Sequence, residues 1–387
     1  MAIFKESAPH LRRKASVTRM MVDVLIALAP CLIMSFVAFP INTLVFYLIS
    51  VAVMVGAEFV FVGLKNMMPA DGQKHSFKER FAYAYKGKFN QNNVLTAAIS
   101  AIIFTLIMPA GAPIYAVIIG ALAGIILGKL VFGGLGSNIF NPAAVGMLFA
   151  KVCFGGQYSV AQSWYANPIY FPAEGDVSVG ATALSAPTGQ TGSFFDNVLN
   201  NMNTYYIKDM FLGRIPGTLG EVFKIAIIIG LIYLLIRRSI DYRIVVSYFG
   251  TFGLLTLVAG LGILAAGQNI NYLKFVLFCT LSGGVLFGGT FMLTDPVTSP
   301  INSPSRIMYG IIAAVCTVFI RMFAAYPEGV GFSILIANMI AVVLDHYEWS
   351  SSRYTWKKIL AMALLVVIPA VATFLVIKFG VKFGGAA

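Results

Sequence analysis

The sequence predicts an all-α polytopic membrane protein. The expected plan is an inverted repeat of two five-helix units with ten transmembrane helices, or eleven if a last apolar block also crosses. Three observations carry this. Hydrophobic residues make up 59% of the 387 and charged residues only 11%, more apolar surface than a soluble domain can hide. The apolar residues come in blocks, and in hydrocarbon every backbone polar group must be bonded internally, so the blocks read as helices. The formal net charge is +12, and its basic residues cluster in particular loops as membrane topology requires, so no nucleic-acid partner is needed to explain them.

Residues 1–19 form a basic, cytoplasmic arm carrying Lys5, Arg12, Arg13, Lys14 and Arg19. The first repeat is expected over 20–156. Its first two spans are 20–39 and 43–64, joined through Pro40. Residues 65–93 are polar and basic, which returns them to the side of the N-terminus. The next block, 94–108, is short for a crossing and ends in Pro109-Ala110-Gly111-Ala112-Pro113, the pattern of a discontinuous helix around a membrane site. Residues 114–130 follow, then a Gly-rich run into Asn141-Pro142-Ala143, then an apolar run to Phe154.

Five crossings from the inside make 157–218 an external loop. The second repeat, 219–345, has apolar blocks at 222–235, 244–258, 273–293 and 307–319, and a run from Tyr326-Pro327-Glu328-Gly329 to Leu344. Arg237-Arg238 marks the inside, and the third block stops at Thr294-Asp295-Pro296. The C-terminal segment, 346–387, contains the extra apolar block 359–376. Duplication rests on two correspondences: the Pro109/Pro113 break with the Pro296/Pro300 break, and the Asn141-Pro142 entry with the Tyr326-Pro327 entry.

Chemistry-bearing residues are few. Cys31, Cys153, Cys279 and Cys316 each lie in an apolar block without CxxC spacing, so buried thiols are expected rather than disulfides or zinc. His10, His75 and His346 are scattered, which argues against a haem or histidine-built metal site. HExxH, Walker A and GxSxG strings are absent. Asn138, Asn141, Thr294 and Asp295 sit at the helix breaks, where a polar side chain caps a half-helix or touches a bound species. Asp23 and Glu58 fall inside apolar blocks, where an unpaired carboxylate is costly, so each is expected to pair, line a cavity or serve an ion path.

The external loop holds Asp176-x-x-Val179-Gly180-Ala181-Thr182, which resembles the flavinylation signature of the RnfD/NqrB family of membrane subunits. Three further stretches resemble the same family, in its order: Phe132-Gly133-Gly134-Leu135-Gly136 with Asn141-Pro142-Ala143, then Thr294-Asp295-Pro296-Val297-Thr298, and Tyr326-Pro327-Glu328-Gly329-Val330 with Asn338. The N-terminal Ser7-Ala8-Pro9-His10 is closer to the RnfD type. The resemblance runs from residue 7 to about 345.

The resemblance implies a ten-helix inverted repeat in a bacterial or archaeal cell membrane. It implies FMN on the Thr182 hydroxyl through a phosphoester, attached by a separate flavin transferase, with Asp176, Gly180 and Ala181 as the surrounding motif. A second, non-covalent riboflavin is implied between the helices, near the breaks that hold Asn141, Thr294 and Asp295. The expected role is electron relay between ferredoxin and NAD with coupled Na⁺ or H⁺ transport, as one subunit of a translocating oxidoreductase. Its partners would be other membrane and peripheral subunits, among them a second flavinylated subunit and an iron–sulfur membrane pair. Asp23 and Glu58 are the ion-path candidates. The sequence departs from the signature at Val179, where Ser or Thr is usual. The long polar stretch 65–93 resembles the NqrB type, so membership of an NADH:quinone oxidoreductase is the alternative. A solute channel or secondary transporter on the same fold is the reading from another class.

Overall fold

The computed structural model describes residues 17–67, 77–86, 88–155, 184, 193–215, 217–324, 329–346, 349 and 351–381. All regular structure among them is helical. The first half opens with α1 (Val17–Ala38), which carries Pro30 inside it, and α2 (Pro40–Asn66), which starts on a proline whose missing N–H costs a first turn nothing. The polar stretch expected as a loop contains an amphipathic helix, α3 (Phe77–Tyr85). It is held to α2 by Tyr85, whose ring stacks on Phe59 at 4.3 Å and whose hydroxyl donates to the Phe59 carbonyl.

Helix α4 (Gln91–Leu106) begins in a reciprocal cap between Asn90 and Asn93. It is followed by α5 (Ile114–Ile125), which widens into a π-helical turn over Ile126–Leu130, and by α6 (Pro142–Cys153). Two short helices, α7 (Phe194–Thr204) and α8 (Ile207–Leu212), close the stretch expected outside the membrane.

The second half comprises α9 (Lys224–Arg237), α10 (Tyr242–Ala265), α11 (Tyr272–Leu281), α12 (Val285–Phe287, continued by a π-turn over Gly288–Met292), α13 (Ser303–Phe323) and α14 (Val330–Leu344). A last helix, α15 (Trp356–Gly380), lies outside against α10 and α13. The block expected as one span over 273–293 is bent by 63° between α11 and α12. The block is therefore broken at Gly283, well before its end at Thr294. Gly283 has φ +61°, and an added Cβ there would lie 2.6 Å from the Arg321 guanidinium, so the bend needs a residue without a side chain.

Among the described residues five helices are long and apolar enough to cross a membrane unaided: α1, α2, α10, α13 and α15, with the bent α11–α12 pair as a sixth. The remaining apolar helices are shorter, including α4, α5 with its π-turn, α6 and α14. The chain is thus a polytopic all-α membrane protein. The two halves share a packing scheme: α2 contacts α4 and α5 as α10 contacts α11 and α13, α5 meets α6 as α13 meets α14, and the halves join through α1 on α9 and α6 on α14.

Residues 218–224 stitch both broken helices. Backbone N–H groups of Leu219 and Gly220 donate to the carbonyls of Met108 and Leu106, and the Thr218 hydroxyl also donates to Leu106. Lys224 reaches across to the carbonyl of Gly283. Groups freed by a helix break must be re-bonded within the protein, because lipid offers no partner.

Close packing sets the first half. A Cβ at Gly124 of α5 would lie 2.6 Å from the Pro142 carbonyl oxygen at the start of α6. Gly124→Val should force these helices apart and cost about 1–3 kcal/mol, read as a lowered Tm of the detergent-solubilised protein.

Candidate functional site

At the end of the bundle where α1 begins and α9 ends, the helices enclose a cavity of about 310 Å³. Its walls come from α1, α4, the π-turn of α5, the Gly-rich run before α6, the end of α9, and the turn after α12. Met21, Val24, Ile103 and Phe291 supply apolar surface, and the polar lining includes Asn138, Asn141, Thr294 and Asp295. The two polar breaks that the sequence singled out are therefore brought to one cavity, although they belong to different halves of the chain.

Each polar group has a local reason for its orientation. Asn141 caps α6: its side-chain oxygen accepts from the N–H groups of Ala143 and Ala144 at 3.0 and 3.3 Å. Its amide nitrogen donates to the Met292 carbonyl at 3.3 Å, tying the entry of α6 to the end of the α12 π-turn. The Thr294 hydroxyl donates to the Thr290 carbonyl. The Asp295 carboxylate accepts from the Val297 N–H at 3.2 Å and from the Thr298 hydroxyl at 3.5 Å.

Both carboxylates expected inside apolar blocks stand behind the wall of this cavity, each holding a residue that lines it. Glu58 forms a buried ion pair with Lys129 at 2.9 Å and accepts from Asn93 at 3.1 Å. Lys129 in turn donates to the Thr96 hydroxyl at 2.9 Å, and both Lys129 and Thr96 face the cavity. Asp23 accepts from Ser239 at 2.8 Å and from Tyr233 at 3.2 Å, and pairs with Arg237 at 3.1 Å. Ser239 is again a lining residue. Both carboxylates pair, as the cost of a lone charge at depth requires.

Sequence reasoning missed several buried cations among the described residues, three of them almost wholly enclosed. Lys129, Lys224 and Arg321 are at most 2% exposed. A lone basic residue near the end of an apolar block reads as an interface marker, and only the fold shows which ones turn inward. At the opposite end of the bundle from the cavity, Arg321 donates to the carbonyls of Cys279 and Ser282, and Lys224 to those of Glu221 and Gly283. Of the four thiols expected to be buried, Cys31 and Cys279 are, Cys316 is half-buried, and Cys153, on the last turn of α6, is exposed. Asp176, Val179, Gly180, Ala181 and Thr182 lie outside the described residues, as do residues 1–16 and Tyr326-Pro327-Glu328.

The fold and the cavity define a polytopic α-helical membrane protein with a ligand-sized chamber between discontinuous helices. A family model described as the NQR2, RnfD, RnfE family matches residues 4–354, and the chain belongs to that family. Relatives include the B subunit of the Na(+)-translocating NADH-quinone reductase of Chromohalobacter salexigens, 35% identical over 64% of this chain and 57% of the relative. The corresponding protein of Ectopseudomonas mendocina is 34% identical over 69% of this chain and 62% of the relative. Against these two proteins the alignment thus spans about three fifths of the relative's length. The D subunit of the proton-translocating ferredoxin:NAD(+) oxidoreductase complex of Clostridium ljungdahlii is 29% identical over 88% of this chain and 93% of the relative.

The Glu58–Lys129 pair makes a direct prediction. Glu58→Leu leaves a buried ammonium without its counter-charge and should cost about 3–5 kcal/mol, whereas adding Lys129→Met should recover most of it. Denaturant unfolding of the three proteins in micelles checks this.

Proposed function

We propose that this chain is the electron-relaying membrane subunit of an ion-translocating oxidoreductase complex, with FMN esterified to Thr182 and a non-covalent riboflavin in the cavity. The observation that carries the reading is the convergence of Asn141, Thr294 and Asp295 on one chamber in a chain of this family. The chamber suits a flat heteroaromatic ring, since it combines apolar walls with a few convergent hydrogen-bonding groups. Asn138, Asn141, Thr294 and Asp295 would hold the ring's polar edge, and Phe291 and Ile103 would cover its faces. A bound flavin supplies a centre that accepts and releases electrons, while the protein supplies position, polarity and exclusion of water.

The residues present have definite tasks in this account. Asn141 is fixed on both sides, by the α6 N-terminus and by Met292, so its place in the lining does not drift. Lys129 brings a positive charge to the wall, held there by Glu58. Asp23 and Glu58 remain the ion-path candidates, and each would have to release Arg237 or Lys129 before it could take up Na⁺ or H⁺.

The finer architecture belongs to the same proposal: two inverted five-helix units and ten crossings, with α15 as an eleventh. The N-terminus and the cavity would lie on the cytoplasmic side and residues 157–218 outside. The shared packing scheme of the halves and Arg237-Arg238 at the cavity end of α9 support it. Coupling to ferredoxin and NAD is favoured by the alignment with the Clostridium ljungdahlii protein, which extends over 93% of that relative. The quinone-reductase reading is supported by the higher identity to the Chromohalobacter salexigens protein.

Purification after co-expression with the flavin transferase decides between these and a solute channel. The peptide containing Thr182 should carry the mass of FMN, and the chain should fluoresce in a denaturing gel. Thr182→Val should lose both signals while still releasing riboflavin on denaturation. Thr294→Val combined with Asp295→Asn should do the reverse, keeping the gel fluorescence and releasing at least several-fold less riboflavin. A colourless protein that conducts a solute in liposomes would overturn the proposal.

A further inference from the structure

The outside of the bundle carries a groove unlike the chamber. It encloses about 460 Å³ and runs between α10 and α13, with Tyr354, just before α15, on its third side. Val246, Ile307 and Ile311 give it apolar walls, and Gly250 lies among them. A Cβ added at Gly250 would meet nothing within 4 Å, so the trough is open there rather than filled by a neighbouring helix. From Arg243 to Gly250 helix α10 rises about 10 Å, roughly two thirds of the depth of one hydrocarbon leaflet.

One end of the groove is cationic and aromatic. Arg243 and Arg306 both pair with the single carboxylate of Asp241, which offsets only one of the two charges. A guanidinium has five N–H donors. Among the described residues the Arg243 side chain gives one to Asp241, and Arg306 gives two, to Asp241 and to the Pro300 carbonyl. Both side chains stay about a third exposed. Ser352 donates to Asn302 just before α13, which brings the start of α15 to this same end. Tyr242, Tyr354 and Trp356 are all exposed there. Tyrosine and tryptophan gathered at one level of a lipid-facing surface mark the headgroup layer. The two guanidiniums therefore stand at the depth of phosphates, and the apolar trough continues below them into hydrocarbon.

We propose that this groove binds an anionic phospholipid, with one acyl chain lying along α10 over Val246 and Gly250 and the phosphate held by Arg243 and Arg306. Charge complementarity selects the occupant. The fork of a guanidinium matches phosphate oxygens, and a headgroup of net negative charge balances the surplus that Asp241 leaves, which a zwitterionic headgroup does not. Basic pockets between transmembrane helices are a recurrent place for such headgroups. A transmembrane helix of a partner would need an acidic side chain set at this one level, whereas a phospholipid carries its charge above its apolar tails by construction. Seated there, the lipid covers the part of the α10–α13 seam that α15 leaves open. The site needs no bound flavin and stands whether or not the chamber holds one.

The test is a titration of the full chain, purified in a non-ionic detergent and stripped of lipid. The probes are dioleoyl-phosphatidylglycerol, dioleoyl-phosphatidylcholine and inorganic phosphate, and the first bound molecule is read by native mass spectrometry. Phosphatidylglycerol should bind at least about fivefold tighter than phosphatidylcholine, the factor that one basic residue adds at an anionic surface. Arg243→Gln should erase most of that preference by weakening phosphatidylglycerol alone, and Arg243→Lys should keep most of it. Gly250→Leu, whose side chain enters open space, should weaken both lipids and leave their ratio unchanged. Free phosphate should neither bind nor displace the lipid. Equal affinity for the two lipids overturns the proposal, as does wild-type lipid binding by Gly250→Leu. Displacement of the lipid by free phosphate overturns it as well, by reducing the site to an ion site. Loss of a co-purifying subunit from Gly250→Leu, with lipid binding unchanged, would give the groove to a partner helix instead. If Arg243→Gln does not fold, the Gly250→Leu titration decides alone.

Discussion

A helix interrupted inside hydrocarbon exposes carbonyl oxygens that no solvent can reach, and bonding them is the constraint on which this bundle depends. The chain meets it with tertiary contacts rather than local ones. Residues 218–220 close the break after α4 although they come from the far side of the intervening loop. Lys224, one turn further, joins Arg321 in closing the break after α11. One short segment thus serves both halves, and its geometry fixes how α4, α9, α11 and α13 meet.

The same interruptions make the chamber at the other end possible. The turn after α12 brings Thr294 and Asp295 to the wall, and the Gly-rich run before α6 brings Asn138 and Asn141. Between the Gly283 break and the chamber lies only the half-helix of α12 and its π-turn, Val285 to Met292. Helix of that length rises about 12 Å, so the break and the chamber are linked by a single short, buried element. The Asn141 amide on the Met292 carbonyl anchors its chamber end. Phe287 and Phe291, with ring centroids 5.1 Å apart, run along it.

Much of this was legible from residues alone, for reasons that differ by site. Pro109 and Pro113 flank a glycine and Pro296 follows Thr294-Asp295, and proline with such neighbours marks a helix end more plainly than the lone Pro30 inside α1. Asn141 before Pro142 is a helix start in both chemistry and spacing. The 63° bend at Gly283 was less legible, because Gly283-Gly284 and Gly288-Gly289 read equally well as close-packing residues. Helix α3 was hidden in a charged stretch whose amphipathic pattern is too short to stand out. The partners of Asp23 and Glu58 were not legible. Ser239 and Lys129 lie far away in sequence, and only the packing of α1 on α9 and of α2 on α5 brings them together. The inward turn of Lys224 and Arg321 was invisible for the same reason.

The position of the shared segment has a consequence for how the protein is made. Translation delivers α1 to α6 first, yet the groups that finish the break after α4 are not synthesised until residue 220 has left the ribosome. The leading half must therefore wait in the bilayer with an open seam at Leu106 and Met108. Membrane insertion of this chain cannot proceed as two independent folding events; the seam closes only when the trailing half arrives and contributes its first residues to its predecessor.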